Sequence, residues 1–470
     1  MVELTNEIVA DLTRLEVDHE GHAQSCLILY PDLFKHTTTH GWLKYNGRFW
    51  DGEGAEQAVE RAITNTLMKR RELFAAREDW QKAKSCAARR NNVTGTKSQL
   101  AKASSIYKPI AQFDSSKDLL NAGNGVVNLK TGELSPHSPD QYFTYCLPVS
   151  YDPMLARTPD LWLEFLFTCG LVPDIIEYLR LALGYSLTGY TSEEVMFYLC
   201  GKSRSGKGTT METVNAIIGK LSTGVDMQTF TGKRYGDTSN FDLAPLKNKR
   251  FITASESQRH GMLNPAFIKK ITGGDEIYCS FKRKDHFSYR PQFKIWLTSN
   301  FEANTDVDDD AAWGRLRVIS YPLSFLGNED KTLKGRLLAQ SSLDAIFAWM
   351  VSGAMDWYAI KGTGLPMPDE VKKATDEHRA ALDSITQFTD EMCVMGDDLF
   401  VVGSRLYMAY KAWCEDEGYM PLGRKRFTQS MANKGVLSKS KRTHLGVKRG
   451  YVGIDFVTLD EGVTDNPLEL

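Results

Sequence analysis

Cysteine pairs, long apolar runs and a leader-like start are all missing from this chain of 470 residues. Its eight cysteines are scattered without a CxxC pair, which argues against a zinc ribbon or a disulfide framework and favours reduced, buried thiols. No run approaches the roughly eighteen apolar residues of a membrane span, and the start MVELTNEIVADLTRLE contains acidic residues, unlike a signal peptide. We therefore expect a cytoplasmic protein with no membrane partner.

A strong net charge is also missing, because 57 Lys and Arg residues stand against 59 Asp and Glu residues. Any affinity for nucleic acid must then come from local basic surfaces. Residues 89–108 form one basic stretch without acids, which could either contact DNA phosphates or form a solvated face. Residues 121–143 carry several turn signals and are interpreted as a connector on the surface.

The strongest local pattern is YLCGKSRSGKGTT at residues 198–210, which follows an apolar run and precedes a helical pattern. Two glycines separated by four residues, the second followed by lysine, are typical of a loop that cradles nucleotide phosphates. The predicted nucleotide-binding residues are Gly201, Ser205, Gly206, Lys207, Gly208, Thr209 and Thr210. Gly208 stands where Ser or Thr normally faces magnesium, so we assign that hydroxyl to Thr209. The loop alone does not separate an ATPase from a small-molecule kinase.

Three further apolar stretches, residues 249–256, 293–300 and 316–323, predict strands of a parallel α/β sheet. Two of them end in Glu256 and Asn300. Ligands of such sheets bind at the carboxyl ends of the strands, where the phosphate loop also lies. Glu256 is predicted to hold magnesium together with Thr209 and to activate water, and Asn300 to orient that water. The alternative is that each residue is a simple cap or turn residue.

Several sequence words in order resemble a superfamily 3 helicase of the AAA+ class, in the phage and plasmid primase-helicase branch related to poxvirus-type helicases. The words are GYSLTGYTSEE, GKSRSGKGTT, LKNKRFITASES, TGGDEIYCSFKRKDHFSYRPQFKIWLTSN and DDDAAWGRLRVISYPL, with NGVVNLKTGEL upstream. The resemblance covers roughly residues 20–460. It implies an α/β fold with an AAA+ P-loop core around a parallel central sheet, a helical N-terminal region and a C-terminal winged helix.

The resemblance also implies roles for single residues. The nucleotide-contacting lysine falls on Lys207, the Walker B acid on Glu256 and the sensor on Asn300. The family's arginine finger falls on Arg315, with Arg317 as the alternative, although the word WGRLR lacks the first arginine of the usual pattern. An arginine in a surface ion pair is the simpler interpretation of Arg315. The implied cofactors are ATP and Mg²⁺.

Two basic features are predicted to contact DNA. The segment IYCSFKRKDHFSYR (277–290) reads as a β-hairpin, and the resemblance implies that its tip lies in a ring channel; a solvated tip is the alternative. Further on, three helical patterns followed by a two-stranded ribbon predict a winged helix, and residues 424–449 contain nine Lys or Arg and no acid. The predicted DNA contacts are Lys282, Arg283, Lys284, His286, Arg424, Lys425, Arg426, Lys439, Lys441 and Arg442.

Five segments are expected: a mixed N-terminal domain (1–155), the ATPase core with preceding helices (156–325), a helical lid and linker (326–380), the winged helix (381–460) and a tail (461–470). The expected function is a 3′ to 5′ replicative DNA helicase that forms a homo-oligomeric ring, a hexamer, on single-stranded and forked DNA, with a separate primase or initiator as a further partner. A bifunctional primase-helicase and an origin-binding initiator ATPase stay open as alternatives. No zinc-binding cysteine set or paired-acid signature for priming is present in residues 1–150.

Overall fold

The computed structural model describes residues 3–230, 243–255, 263–280, 286–301, 305, 307–360, 364–419, 421–443 and 446–457. None of the helices within these ranges is long and apolar enough to cross a membrane. All eight cysteines fall inside the described ranges as free thiols, six of them buried. The expected burial therefore holds for these six cysteines.

The N-terminal region combines five helices with two small antiparallel sheets in its described residues. The helices are α1 (Asn6–Arg14), α2 (His19–Leu29), α3 (Ala55–Ala75), α4 (Trp80–Ser85) and α5 (Arg90–Lys102). The strands are β1 (Phe34–Thr37), β2 (Gly41–Tyr45), β3 (Trp50–Asp51), β4 (Leu119–Ala122), β5 (Gly125–Asn128) and β6 (Leu134–Ser135). Trp42 and Trp50 on the β2–β3 hairpin are 8% and 1% exposed, so these aromatic rings pack inward.

The expectation that residues 121–143 lie on the surface is wrong. Val126, Val127 and Leu129 are buried in the main hydrophobic core together with residues of the ATPase region. The turn signals were real, because β4 and β5 form a tight hairpin. Turn residues, however, report a change of direction and not the depth of the strands that they connect.

The central region contains a five-stranded parallel sheet. Its elements are α6 (Asp160–Thr168), α7 (Pro173–Leu187), β7 (Met196–Cys200), α8 (Lys207–Ile218), β8 (Ser222–Asp226), β9 (Phe251–Ser255), α9 (Pro265–Thr272), β10 (Ile277–Ser280), β11 (His286–Tyr289), β12 (Lys294–Ser299), α10 (Asp310–Trp313) and β13 (Leu316–Ser320). The strand order is β13-β7-β12-β9-β8. The strand before the phosphate loop, β7, therefore lies between β12, which ends just before Asn300, and β13, which begins just after Arg315. The predicted α/β fold with a parallel central sheet is confirmed.

Both faces of the sheet are buried at β7, β9, β12 and β13, which explains why these four strands read as continuous apolar runs. Alternate residues of β7 belong to two different cores: Phe197 and Leu199 pack into one, and Met196 and Tyr198 into the other. Phe197 stacks on Trp296 of β12 with ring centroids 4.1 Å apart. The phosphate loop therefore starts from the end of a fully buried strand.

The C-terminal third contains a helical layer and then a separate small core. The elements are α11 (Leu333–Leu337), α12 (Gln340–Ala359), α13 (Asp369–Ala381), α14 (Ser384–Met392), β14 (Cys393–Val402), α15 (Gly403–Asp416), α16 (Arg424–Asn433), β15 (Ser438–Thr443) and β16 (Gly446–Phe456). The long helix α12 packs against α7. From α14 onward the order is helix, strand, two helices and two strands. The ribbon has a third strand, β14, that the sequence interpretation missed.

Two buried cations lie at the amino ends of sheet strands, and one of them, Arg250, joins the sheet to the N-terminal region. Arg250, 2% exposed, donates hydrogen bonds to the carbonyls of Ser116, Lys117 and Leu187 at 2.5, 3.3 and 2.5 Å. Lys294, also 2% exposed, donates to the carbonyl of Thr188 at 2.5 Å. Desolvation by burial, followed by the nearby Arg250, holds the pKa of Lys294 well below its ordinary value. Carbonyl dipoles thus satisfy both cations away from water.

Candidate nucleotide site

The phosphate loop needs glycine at two positions because other atoms approach its backbone closely. A Cβ on Gly201 would lie 2.3 Å from the carbonyl oxygen of Tyr321, and one on Gly206 would lie 2.4 Å from Sγ of Cys169. Gly206 also has a φ of 97°, in the left-handed region that side chains disfavour. These contacts hold the loop against β13 and α6, so that α8 begins at Lys207.

Lys207 is 6% exposed, and its ammonium group is held by acceptors of the loop itself. Its Nζ donates to the carbonyls of Gly201 and Lys202 at 2.6 and 2.9 Å and to Oγ of Ser205 at 2.9 Å. Burial lowers the pKa of Lys207 from its ordinary value. Phosphate oxygens of a nucleotide would be stronger acceptors for this charge than the loop carbonyls are.

Asn300 meets Lys207 across the sheet, as expected for a strand-end residue near the phosphate loop. Its Oδ1 accepts a hydrogen bond from Nζ of Lys207 at 3.2 Å. Both residues line a cleft of about 320 Å³ at the carboxyl ends of the strands. The full lining is Ser203, Arg204, Ser205, Gly206, Lys207, Gly208, Thr209, Glu212, Ser255, Thr298, Ser299, Asn300 and Lys334.

The threonine hydroxyls of α8 differ in what they contact. The Thr210 hydroxyl lies 3.1 Å from both the Gly206 carbonyl and the Tyr321 hydroxyl, and Thr210 is fully buried. The Thr213 hydroxyl donates to the carbonyl of Thr209 at 2.9 Å. Thr209 lines the cleft, and its hydroxyl has no partner among the described residues. Of the predicted nucleotide-binding residues, Gly201 and Thr210 therefore do not line the cleft, and Thr209 does.

Glu212 and Lys334 form a wall of the cleft that the sequence interpretation missed. Lys334 of α11 lies 2.6 Å from Glu212 of α8. The segment before α11 also contacts the loop directly, because the Ser324 hydroxyl donates to the Ser203 carbonyl at 2.8 Å and the Phe325 amide to the Arg204 carbonyl at 2.9 Å. The sequence could have indicated Glu212 as a residue of the cleft, since it lies one helical turn after Thr209 and therefore on the same face of α8. Nothing local marks Lys334, which only the fold brings here.

Glu256 lies outside the described residues, so its role stays a prediction. The described part of β9 ends at Ser255, one residue earlier, and Ser255 lines the cleft. Ser255 pairs in register with Thr298, two residues before Asn300.

Arg315 lies at the amino ends of the sheet strands, whereas the cleft lies at their carboxyl ends. Its carbonyl accepts from the amide of Met196, the first residue of β7, and its Nη2 lies 2.5 Å from Glu194. The Nε atoms of Arg315 and Arg317 are buried without a partner among the described residues. About five strand residues, roughly 17 Å, separate Arg315 from the loop end of its own sheet. Arg315 therefore cannot reach the cleft of its own chain.

The predicted DNA-contacting residues fall in two places. β10 and β11 form the predicted antiparallel hairpin, with exposed His286 paired to Ser280, whereas Lys282, Arg283 and Lys284 lie outside the described residues. In the small C-terminal core, α16 and the β15–β16 ribbon carry exposed basic side chains on the surface. These are Arg424, Lys425, Arg426, Lys439, Lys441 and Arg442.

Three family profiles match the chain in order. A profile described as D5 N terminal like matches residues 29–169, a family of unknown function matches residues 199–315, and a profile described as poxvirus D5 protein-like matches residues 381–449.

Curated relatives come from large DNA viruses. A putative helicase of Acanthamoeba polyphaga mimivirus is 26% identical over 68% of this chain and 36% of its own length. A putative helicase of Invertebrate iridescent virus 6 is 24% identical over 70% of this chain and 36% of its own. A putative primase of African swine fever virus is 22% identical over 47% of this chain and 24% of its own. The chain thus spans about a third of the length of the curated relatives it matches.

Among solved structures, the apo form of the NrS-1 C-terminal region is similar over 93% of this chain and 100% of its own, with 11% identity and a TM-score of 0.47.

Proposed function

Because the chain carries D5 N-terminal-like and poxvirus D5-like domains, consistent with a superfamily 3 primase-helicase family, we propose that it is the ATP-driven motor of a replicative DNA helicase. The observation that carries the proposal is the contact between Lys207 and Asn300 in the cleft at the strand ends. A phosphate-loop lysine and a polar strand-end residue converge there on one small volume, as ATP hydrolysis requires.

ATP is the substrate of this proposal. The γ-phosphate would take the place of the loop carbonyls as acceptor for Lys207, and Asn300 would then be released to orient the attacking water. Mg²⁺ would neutralise charge on the β- and γ-phosphates, held by the Thr209 hydroxyl and by Glu256. The free hydroxyl of Thr209 in the cleft supports this assignment.

The site would be completed by a neighbouring copy of the chain. Arg315 lies at the edge of the sheet remote from its own cleft, so it can stabilise transition-state charge only in the site of another subunit. It would have to leave Glu194, with which it is paired in the single chain. Hydrolysis would then depend on assembly into a ring, which we propose to be a hexamer.

DNA is the proposed second substrate. The basic surface of α16 and the β15–β16 ribbon, together with the hairpin that contains His286, would bind phosphates of a single strand or a fork without reading sequence. Translocation is proposed to run 3′ to 5′, the polarity implied by the family resemblance.

The test is strand displacement by the wild-type chain and by Lys207→Ala, with ATP, on substrates with a 3′ or a 5′ tail. Wild type should unwind the 3′-tailed substrate, and the variant should be inactive because no other described lysine donates into the loop. Absence of ATP-dependent unwinding on both tails would refute the helicase proposal. Unwinding retained by Lys207→Ala would instead refute the site assignment.

A bifunctional primase-helicase is the second candidate, favoured by the putative primases among the relatives and by their greater length. Primer synthesis by this chain from labelled nucleotides on a single-stranded template would support it. An origin-binding initiator is favoured only by the basic winged-helix surface. Sequence-specific footprints without strand displacement would distinguish that function. If the chain is a helicase or an initiator that does not synthesise primers, a separate primase or initiator would be its partner.

A further inference from the structure

A second cavity lies in the N-terminal region, far in sequence from the nucleotide cleft. It has a volume of about 530 Å³ and lies between the start of α2 and the turn that joins α4 to α5. The residues that line it are Val17, Asp18, His19, His22, Lys84, Ser85, Arg89, Asn91 and Asn92. Part of its lining comes from the basic stretch at residues 89–108. The sequence left two interpretations of that stretch open, contact with DNA phosphates or a solvated face.

The turn is built to leave the start of α5 open towards this cavity. The side-chain amide of Asn92 donates to the carbonyls of Ser85 and Ala87 at 3.0 and 2.8 Å, which closes the turn. Arg89 is the N-cap of the 13-residue helix α5 and makes no side-chain cap. The amides of the first helical turn therefore keep their donors for a ligand, and the helix dipole favours an anion there. By contrast, the start of α2 is capped by Asp18, which accepts from the amide of Gly21 at 2.7 Å.

One residue of the cavity lining, His22, is a buried hydrogen-bond donor whose ring orientation is fixed by a contact with Arg70. His22 is 1% exposed, and its Nδ1 lies 2.7 Å from Nη1 of Arg70. Because a guanidinium can only donate, Nδ1 must accept and the ring proton must sit on Nε2. His22 lines the cavity, and Nε2 has no partner within the described residues. Burial, followed by the charge of Arg70, lowers the pKa of His22 to about 4, so the ring stays a neutral donor near pH 7.

Positive side chains outnumber acids around the cavity. Arg70 is fully buried, and in the described ranges its other hydrogen bonds go to the carbonyls of Leu12, Leu15 and Glu16 and to no carboxylate. Lys84 and Arg89 are exposed at the rim, and neither forms an ion pair in the part of the chain that the structure describes. Asp18 contributes one negative charge to the lining; it accepts the cap hydrogen bond, and its charge acts on both Arg70 and His22.

Free helix-terminal amides, a buried imidazole donor and two rim cations around one cavity are the groups that recognise phosphate oxygens. We propose that this cavity, named here the N-terminal pocket, binds a phosphate group of a nucleic-acid strand or of a free nucleotide. Polynucleotide and free phosphate share the same recognition chemistry, and the experiment below separates them. The inference does not rest on ATP hydrolysis or unwinding, so the two proposals can fail independently.

The test is hydrogen exchange of the full chain, followed in peptides that cover the start of α5. One arm adds a single-stranded oligodeoxynucleotide of about 16 nucleotides, and the other adds inorganic phosphate. We expect exchange of the amides at residues 90–92 to slow when the ligand binds. Slowing by the oligonucleotide alone identifies the strand as the source, and equal slowing by inorganic phosphate identifies free phosphate groups. No slowing in either arm overturns the proposal.

Variants of exposed residues keep the test independent of folding. Lys84→Ala with Arg89→Ala should abolish the protection of residues 90–92 and, if the strand is the ligand, make the log–log salt dependence of binding shallower by about 0.7 per lost contact. Lys102→Ala is the matched control, because it removes one exposed cation from the other end of α5, about 18 Å away. Protection that persists in the double variant, or an equal loss in Lys102→Ala, overturns the proposal.

Discussion

The hydroxyl of Thr209 is the most direct point at which to test the proposed magnesium chemistry. Thr209→Val removes this hydroxyl and keeps the shape of the side chain. The neighbouring hydroxyls cannot replace it, because Thr210 and Thr213 are bonded to groups inside the fold. Thr209 lies in the first turn of α8, where Thr and Val have similar helix propensities. We therefore expect the free energy of unfolding to change by less than about 0.5 kcal/mol.

The loss should appear in the magnesium dependence of ATP hydrolysis. A contact to a charged group contributes about 1.5–3 kcal/mol, so the Mg²⁺ concentration for half-maximal hydrolysis should rise roughly 10- to 150-fold. Gly208→Ser should rescue Thr209→Val, because it restores a hydroxyl at the position where phosphate loops normally carry one. A Cβ at Gly208 meets nothing within 4 Å, so the new side chain fits without strain.

Gly208→Ala in the same background is the matched control. Alanine at this position raises the helix propensity at least as much as serine does, by up to about 1 kcal/mol, but adds no hydroxyl. Hydrolysis should be followed at fixed ATP across a Mg²⁺ titration, with thermal unfolding as the check on folding. An unchanged Mg²⁺ dependence in Thr209→Val would refute the assignment of Thr209. Equal rescue by alanine and serine would show that helix stability, and not a metal ligand, had been altered.

Three further outcomes are expected. Arg315→Ala and Lys207→Ala should each lack ATP hydrolysis, yet their mixture should regain part of it, because an intact loop can meet an intact Arg315 of a neighbour; failure to complement, or the same behaviour from Arg317→Ala, would contradict the choice of Arg315. Replacing Lys439, Lys441 and Arg442 with alanine should weaken DNA binding and flatten its salt dependence, whereas Lys373→Ala on α13, whose side chain is 77% exposed, should not; equal effects would indicate a nonspecific loss of charge. The pKa of His22 is about 4 in the folded chain and 6.5 in the unfolded chain, so the unfolded state takes up protons first as the pH falls, and up to about 3 kcal/mol of the free energy of unfolding should be lost between pH 6.5 and pH 4. Thermal unfolding of His22→Gln should therefore depend less on pH than that of the wild type. Identical pH profiles would contradict the neutral ring.

The sequence was sufficient for those strands whose two faces are buried. β7, β9, β12 and β13 read as apolar runs because the two cores cover the sheet from both sides. β8 was missed because its sequence, STGVD, has no apolar run, and it pairs with β9 alone at the sheet edge. β14 was missed because Gly396, Asp397 and Asp398 interrupt it, where the pairing with β16 shifts register. Strand pairing depends on partners distant in the chain, which a local pattern does not contain.

The candidate site divides in the same way. The meeting of Lys207 with Asn300 followed from the rule that parallel strands end at one edge of a sheet. The inward position of Thr210 depends on Tyr321, and the contact of Lys334 with Glu212 depends on how α11 packs after the last strand. Neither contact has a sequence signal, because each joins segments far apart in the chain.

The position of Arg315 has a consequence for the symmetry of any assembly. The cleft and Arg315 lie at opposite ends of the parallel strands, so the surface that donates the arginine differs from the surface that receives one. A two-fold pair would complete both of its sites at once and stop at two chains, whereas a head-to-tail series completes one site at each contact and continues into a closed ring or an open helix. The proposed ring therefore requires the head-to-tail arrangement, in which every chain faces the same way around the assembly.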